Sequence, residues 1–407
     1  MKLQSGTLPW LDVLQSVRSY PPLEQHLSCD VVVLGGGMSG ALMAFELGKR
    51  GKNVVLLEKR SIAGGSTSAS TGLLQFCNDK SLTSCIHTFG AASGIQFYTL
   101  CKQAVEKLLS LPKQLNADPD LLPRSSLYFA SCNEDVPQLE NEYATLLEHG
   151  FDVEWWDTDK IEAHFGFRKP AAIVTHGDAE ANPVKCVHAL IDTAVERFGL
   201  RIYEDSRVQR HECMVDGVAC YTDKGFKVTA RHAVFALGYE TQELKRDRNA
   251  VLESTFAIAT QPIPNLEQHW HQKWLIWETA RPYLYLRTTT DNRIVAGGLD
   301  EGTTIPEERE AMLRNKANLL RGEINKLFPA LGPFETEYAW TAAFGSTHDG
   351  YPLIGPHPDY PNCYFVEGYG GNGTVYSAIA SELICDMIEY GSHPDEHLFR
   401  FSRATKP

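Results

Sequence analysis

A chain of 407 residues is long enough for two or three domains with full-sized cores, and 43% apolar with 22% charged residues is the balance of a folded globular protein, which excludes disordered and collagen-like chains. Lys and Arg total 38 against 51 Asp and Glu, and the resulting charge of −13 argues against nucleic acid and anionic lipid as partners, since both are polyanions. No run approaches the roughly 20 apolar residues of a membrane span, and MKLQSGTLPWLDVLQSVRSYPP lacks the apolar core of a secretory signal, so a cytoplasmic protein without a membrane span is expected.

Residues 1–28 read as an irregular lead-in. From Asp30 to Leu34 a β-branched run without helical period predicts a strand buried on both faces. A helix follows over Ser39–Arg50, stopped by Gly51, then a second buried strand over Asn53–Leu57 ending on Glu58, which makes a βαβ unit. Residues 61–75 are small and polar, too long for a turn, and need a reason to be ordered. The pattern is helical from about Ile86 to Leu115, strand-like at 125–131, helical again at 136–150, and helical at 180–199, with Asn182 as cap, Pro183 first in the helix and Gly199 as stop. Strands are predicted within 201–212 and 226–238. Residues 251–300 alternate apolar and polar residues and carry the Asp291-Asn292 turn pair, the pattern of an antiparallel sheet with one wet face. An amphipathic helix over 306–329 precedes glycine-rich motifs at 345–374. Ten cysteines without a C-x-x-C pair read as reduced, mostly buried thiols, and no metal site is expected.

Gly35-Gly36-Gly37-Met38-Ser39-Gly40 fits G-x-G-x-x-G with a strand before it, a helix after it and an acidic residue at the end of the next strand. Gly35 permits the turn, Gly37 lets backbone approach a pyrophosphate, and Gly40 allows close packing of helix on strand. Glu58 is placed to accept from an adenosine ribose, while Lys59 and Arg60 leave a 2′-phosphate open. Either FAD or NAD sets a pyrophosphate on such a turn. The small-residue loop from Gly64 to Leu74 suits a ribityl chain, and a second glycine-rich turn opens a helix at Asn372-Gly373-Thr374. That helix start would stabilise the negative charge of a reduced flavin, or it is an ordinary cap.

With these segments the chain resembles the D-amino acid oxidase-like (DAO) family of FAD-dependent oxidoreductases, in its glycine oxidase and sarcosine oxidase-like branch. The resemblance covers nearly the whole chain through DVVVLGGGMSG at 30–40, GGSTSASTGLL at 64–74, SLYFA at 126–130, AVFALGYE at 233–240, YLYLRTTTDNRIVAGG at 283–298, Trp340 through DGYPLIG at 349–355, and GYGGNGT at 368–374. It implies an α/β fold, with a Rossmann-like FAD-binding domain of βαβ and mixed-sheet type and an inserted α+β substrate domain of antiparallel sheet plus helices. Residues 1–90, 155–245 and 340–407 are expected to form the FAD-binding domain, and 91–154 with 246–339 the substrate domain. The family pattern assigns pyrophosphate contact to Gly35, Gly37, Met38, Ser39 and Gly40, ribose contact to Glu58 with Lys59 beside it, and flavin contact to Gly65, Ser66, Thr67, Ser68 and Gly72, with Leu73 and Leu74 near the ring. Val208 matches the position pairing with adenine, Ala236 and Gly238 the strand end near the pyrophosphate, and Gly371, Asn372, Gly373 and Thr374 the turn at the pyrimidine end. Covalent members carry a His or a Cys where this chain has Ala69 and Ala342, so FAD is expected to be noncovalent. Where glycine oxidase-like enzymes place a carboxylate-binding Arg, this chain has Phe344.

Hydride removal from an amine needs no metal or nucleophile, only orientation, a neutral amine and exclusion of water. Trp277, Tyr283, Tyr285, Arg287 and His348 are the candidates for that pocket. Tyr283, Tyr285 and Arg287 fall at i, i+2 and i+4 of one strand; Arg287 is either a replacement carboxylate clamp or a solvated surface residue. His348 lies either near the flavin or in a turn before Asp349-Gly350. The expected function is FAD-dependent oxidation of a C–N bond in a small amine or amino acid of secondary amine, glycine, sarcosine or D-amino acid type, by hydride transfer to flavin N5, with O2 or an electron-acceptor partner. The alternatives are a 2-hydroxy acid or polyol dehydrogenase on the same scaffold, and a non-catalytic flavin electron-transfer subunit.

Overall fold

The β-branched run of the βαβ unit offers no polar position to turn toward water, and it ends up covered on both sides. In the computed structural model, which describes residues 1–10 and 17–405, the strand Leu27–Leu34 sends Val31 and Val33 into one apolar cluster and Val32 and Leu34 into another. It lies parallel between Val54–Leu57 and Lys227–Phe235. The sheet continues in parallel through Arg201–Tyr203 at one side and Tyr360–Glu367 at the other, where Leu353–His357 adds an antiparallel edge. Val208–Met214 and Gly217–Thr222 form an antiparallel meander on Lys227–Phe235, which brings the sheet to 8 strands. Helices Met38–Lys49, Pro183–Phe198 and Gly373–Tyr390 pack on the Val31 and Val33 face. Pro183–Phe198 begins and ends as its sequence demands: Asn182 accepts from Lys185 N, and Gly199 takes the left-handed conformation. The result is the α/β, mixed Rossmann-like sheet expected from the sequence.

A second sheet of 10 strands stands beside it. Its order is Gln4–Gly6, Thr336–Thr347, Ala250–Thr260, Ile294–Glu301, Tyr285–Thr288, Leu275–Glu278, Leu121–Phe129, Ala171–Ala181 and Leu73–Leu74, with Val153–Asp157 also paired to Ala171–Ala181. Every pair is antiparallel except Leu275–Glu278 with Leu121–Phe129. The expected wet face is covered. Helix Pro306–Leu327 and Phe328 lay Leu320, Ile324 and Leu327 over Phe256, Ile258, Leu286, Ile294 and Ala296. The opposite face looks toward the first sheet, so Arg287 is buried there, while Thr288, on the same side of the strand as Leu286, is buried on the helix-covered face.

Several elements differ from the sequence reading for identifiable reasons. Gln4–Gly6 pairs with Trp340–Ala342 within the lead-in expected to be irregular, and three residues are too few to show a period; residues 11–16 of that lead-in lie outside the described residues. The helical stretch over 86–115 is two helices, Leu82–Phe89 and Ala91–Ser110, parted at Gly90 with φ +85°. Val153–Asp157, Thr158–Phe165 and Ala171–Ala181 carry no strong pattern and went unread. Two of these, together with Thr336–Thr347, pair in the larger sheet, although most of their residues fall in segments proposed for FAD binding. All ten cysteines are free thiols, seven of them buried. No helix among the described residues is long and apolar enough to cross a membrane, and among those residues no three His, Cys, Asp or Glu side chains are grouped to hold a metal.

Candidate active site

The two sheets and the loops between them enclose a cavity of about 470 Å³, and its first wall is the glycine turn. Gly35 has φ +105°, and a Cβ there would stand 2.3 Å from Ala236 O; at Gly40 a Cβ would stand 1.8 Å from Gly35 O, so only glycine lets the helix sit this close to the strand. Helix Met38–Lys49 starts at Gly37 without a side-chain cap of its own; Met38 N donates instead to Thr67 Oγ1 at 3.0 Å. Ser377 Oγ donates to Gly373 O (2.6 Å), which makes Ser39 Oγ the donor in its 2.7 Å contact with Ser377 Oγ. This links the starts of the first and last helices, two positive dipole ends suited to an anion.

At the ribose end Glu58 is 9% exposed and accepts from Gly36 N and Arg60 N, both at 2.7 Å. Burial pushes its carboxyl up, against the pull of those two amides. Lys59 and Arg60 are committed elsewhere: both bond Glu240, Lys59 at 2.8 Å and Arg60 through two nitrogens. Burial works against the charge of Glu240, yet Arg60 and Lys59 hold its carboxyl below the usual range. Arg207, Arg210 and His211 line this same end with Val208.

The loop at 61–75 is ordered because its carbonyls are claimed by distant side chains. Trp340 Nε1 donates to Ala69 O (2.9 Å), Trp10 Nε1 to Ser70 O (2.8 Å) and Arg287 Nε to Thr71 O (2.6 Å). The expected roles of Arg287 are corrected here. It is 2% exposed, donates also to Ala181 O (2.8 Å) and Thr288 O, pairs with Glu180 at 3.5 Å, and does not line the cavity. It is neither a substrate clamp nor a surface residue. His348 is likewise out of reach: it is exposed in a turn, with its backbone N bonded to Asn249.

Of the other expected residues, Gly35, Gly37, Met38, Ser39, Glu58, Lys59, Gly65, Ser66, Thr67, Leu73, Val208, Ala236, Gly238, Gly371, Asn372, Gly373 and Thr374 line the cavity. Gly40, Ser68, Gly72 and Leu74 lie behind it: Gly40 beneath the turn, Ser68 donating to Gly65 O, Gly72 against Ala181 O with φ +78°, and Leu74 in the core. Asn372 makes no capping bond to its helix. Its Nδ2 donates to Cys77 O (2.7 Å) and Asn78 Oδ1 (2.8 Å), which leaves the uncapped amides at Gly373 and Thr374 on the cavity wall.

The far wall is aromatic. Trp277 stacks on Tyr128 with ring centroids 3.8 Å apart, and Tyr283 and Tyr285 continue the surface. Burial holds both phenols far above their ordinary range, so neither serves as a base near neutrality. Three buried polar atoms around the cavity have no hydrogen-bond partner: Ser66 Oγ, Trp277 Nε1 and Asp300 Oδ1. Unmet groups of this kind mark the place of a polar ligand. Asp300 escaped the sequence reading; its only signal is an acid just past Gly297-Gly298, a pair that attracts attention as turn glycines. Burial pushes its carboxyl up to about 6, and Thr255 bonds it. Asp79, which also lines the cavity, accepts from Gly371 N (3.0 Å) and interacts with the Tyr283 hydroxyl.

Residues 30–387 match the family model described as DAO, FAD dependent oxidoreductase. Among curated proteins the chain is similar to a putative Rieske 2Fe-2S iron-sulfur protein of Bacillus subtilis (strain 168), 24% identical over 95% of this chain and 73% of that one. It is also similar to the gamma-glutamylputrescine oxidoreductase of Escherichia coli (strain K12), 26% identical over 92% of this chain and 87% of the other. Among solved structures its fold is similar to that of glycine oxidase from Geobacillus kaustophilus, with a TM-score of 0.76 and 21% identity over 90% of this chain and 96% of that chain.

Proposed function

Because the chain belongs to the family of FAD dependent oxidoreductases, we propose that it holds FAD without a covalent bond in the cavity described and oxidises a C–N bond of a small amine there. One observation carries the reading: a single cavity runs from the Gly35 turn and Glu58 past the uncapped amides at Gly373 and Thr374 to the aromatic wall of Trp277, Tyr283 and Tyr285. The residues present fit the coenzyme. Orphaned Ser66 Oγ and the 2.9 Å that a Cβ at Gly37 would leave to Thr67 Oγ1 describe a cradle shaped for backbone contact with a polar chain. Gly37, Met38 and Ser39 would take the phosphates, Glu58 the ribose, Ser66 and Thr67 the ribityl hydroxyls, and Gly373 with Thr374 the pyrimidine edge. Ala69 and Ala342, where covalent relatives have an attaching side chain, provide no nucleophile.

Bound there, FAD supplies the acceptor for the hydride removed from the carbon next to nitrogen. The chain supplies the surroundings. Trp277, Tyr283 and Tyr285 exclude water and so favour the uncharged amine whose lone pair assists the oxidation, while the protonated phenols donate hydrogen bonds. A 2-hydroxy acid would need a cation for its carboxylate beside this wall, and the lining there offers the apolar Phe344, which the resemblance sets in the place of the arginine of glycine oxidase-like enzymes. O2 or an acceptor protein would restore the oxidised coenzyme. The test is the visible spectrum of the purified protein, its release into the supernatant on acid precipitation, and its bleaching by amines without oxygen. A colourless folded protein that takes up no added FAD would overturn the proposal.

A further inference from the structure

We infer that the aromatic end of the cavity accepts an amine bearing a second, positively charged nitrogen, which Asp300 and Asp79 hold, and that it does not take an α-amino acid by its carboxylate. The inference rests on the reading above that amine oxidation takes place in this cavity.

The distribution of charge along the cavity carries the argument. Its basic lining residues are Lys59, Arg60, Arg207, Arg210 and His211, all at the Glu58 and Val208 end, and Lys59 with Arg60 is already paired to Glu240. At the other end Phe344 is apolar, and Arg287 is spent on the carbonyls of Thr71, Ala181 and Thr288. Among the lining residues no cation is left there to meet a carboxylate; Arg281, whose guanidinium lies 4.9 Å from the centre of the Tyr283 ring, stands outside the lining and is spent on the carbonyls of Glu278, Thr279 and Ala280. Two acids line that end instead, Asp79 and Asp300, in the same lining as Tyr239, Tyr283 and Tyr285, and beyond burial the charge of each helps to raise all three phenols. One oxygen of Asp300 is buried without a hydrogen-bond partner. Lys316, the cation felt most by Asp300, is engaged by Leu299 O and Glu301.

A second observation points to a ligand independently of the acids. Trp277 is 5% exposed, lines the cavity and has an unpartnered indole N–H. One face of its ring is stacked on Tyr128, and the neighbouring Tyr283 ring already carries the Arg281 guanidinium at 4.9 Å, which leaves the other face of Trp277 and the Tyr285 ring as the electron-rich surface that attracts an ammonium or a methylated nitrogen. A carboxylate set here would face two acids with only neutral donors, the indole and the phenols, to meet it, while an ammonium would satisfy the acids. The reacting nitrogen has to be uncharged, so the charge these groups recognise belongs to a different nitrogen along the chain. The substrate class is therefore a diamine or longer polyamine, N-alkylated or not.

The experiment uses the FAD-loaded protein and follows anaerobic bleaching with N-methyl-1,4-diaminobutane, with N-methylpentylamine, in which a methyl replaces the distal ammonium, and with sarcosine, glycine and D-alanine. The expected result is a second-order rate for the diamine at least tenfold above N-methylpentylamine and above every amino acid. Asp300→Asn is expected to shrink the ratio of diamine to N-methylpentylamine tenfold or more, which a merely structural role would not do, since general damage lowers both rates together. Faster bleaching by an amino acid, or a ratio near one in the unaltered protein, overturns this inference alone. No bleaching by any member of the panel, with FAD bound, overturns the amine-oxidation reading and this inference with it.

Discussion

At the Glu58 end of the cavity the first wall is built on backbone: the turn from Gly35 to Gly40, the amides of a helix start, and a carboxylate whose two bonds go to main-chain N–H groups. At the Asp300 end it is side chains: an indole, phenols and carboxylates brought in from Asp79, Trp277, Tyr283, Tyr285 and Asp300. Backbone sites are specified by a short stretch in which each glycine has one job. Side-chain sites are specified by convergence, and a substitution at any one position changes the chemistry while leaving the fold in place. On the function proposed above, the first end would fix which coenzyme the chain holds, and the second would be free to set what it acts on.

Four measurements would break or sharpen that contrast. The largest effect belongs to Gly40→Ala, because the added Cβ meets Gly35 O at 1.8 Å, backbone against backbone; flavin content of the purified protein is expected to fall below about a tenth of normal, a loss of about 1.4 kcal/mol or more in binding. Normal flavin content would mean that the turn is not the coenzyme's anchor. Next comes Arg287→Leu, which strips a buried cation from Glu180 and three carbonyls; urea denaturation is expected to show a loss of about 3–5 kcal/mol.

The third effect is on the dependence of stability on pH. Asp300 has a folded value of about 6, pushed there by burial, against about 3.9 in an unfolded chain. Between those values the folded protein holds more protons, so stability falls as pH rises from about 4 to about 6 and stays lower above that. Asp300→Asn removes this slope. In ligand-free protein the variant is expected to gain roughly 1–2 kcal/mol over wild type between pH 4 and pH 7.5, and parallel urea curves for the two proteins at both pH values would refute the assignment. The smallest effect is for Lys59→Ala. Arg60 still pairs with Glu240, so stability should change by about 0.5 kcal/mol or less, and FAD affinity within about threefold, as isothermal titration would show; a larger loss of affinity would put Lys59 on the coenzyme after all.

The same contrast explains what the amino-acid sequence disclosed. The βαβ unit, Glu58, and the helix from Pro183 to Phe198 with both caps are local, and each was readable where it stands. The two tyrosines were found because aromatic residues at alternate positions mark one side of a strand. Arg287 shared that periodicity and was misread, since Tyr285–Thr288 lies inside a sheet whose two faces are both covered, and period alone does not say what lies opposite. Ala171–Ala181 opens on a short apolar run, Ala171 to Val174, but continues through His176, Gly177 and Asp178 with no run or alternation to announce its full length. Asp300 and Asp79 acquire their significance only when strand end and loop meet across the cavity, some 220 positions apart in the chain, a separation no local pattern encodes.

Arg287 also decides what can open. Its carbonyl partners come from Thr71, Ala181 and Thr288, so one side chain ties the loop to two strands of the larger sheet. Swinging the 66–74 segment outward would strand a guanidinium in a dry interior, so that side of the chamber is a fixed hearth and not a door. Asp79 and Gly371, by contrast, are exposed where they line the chamber.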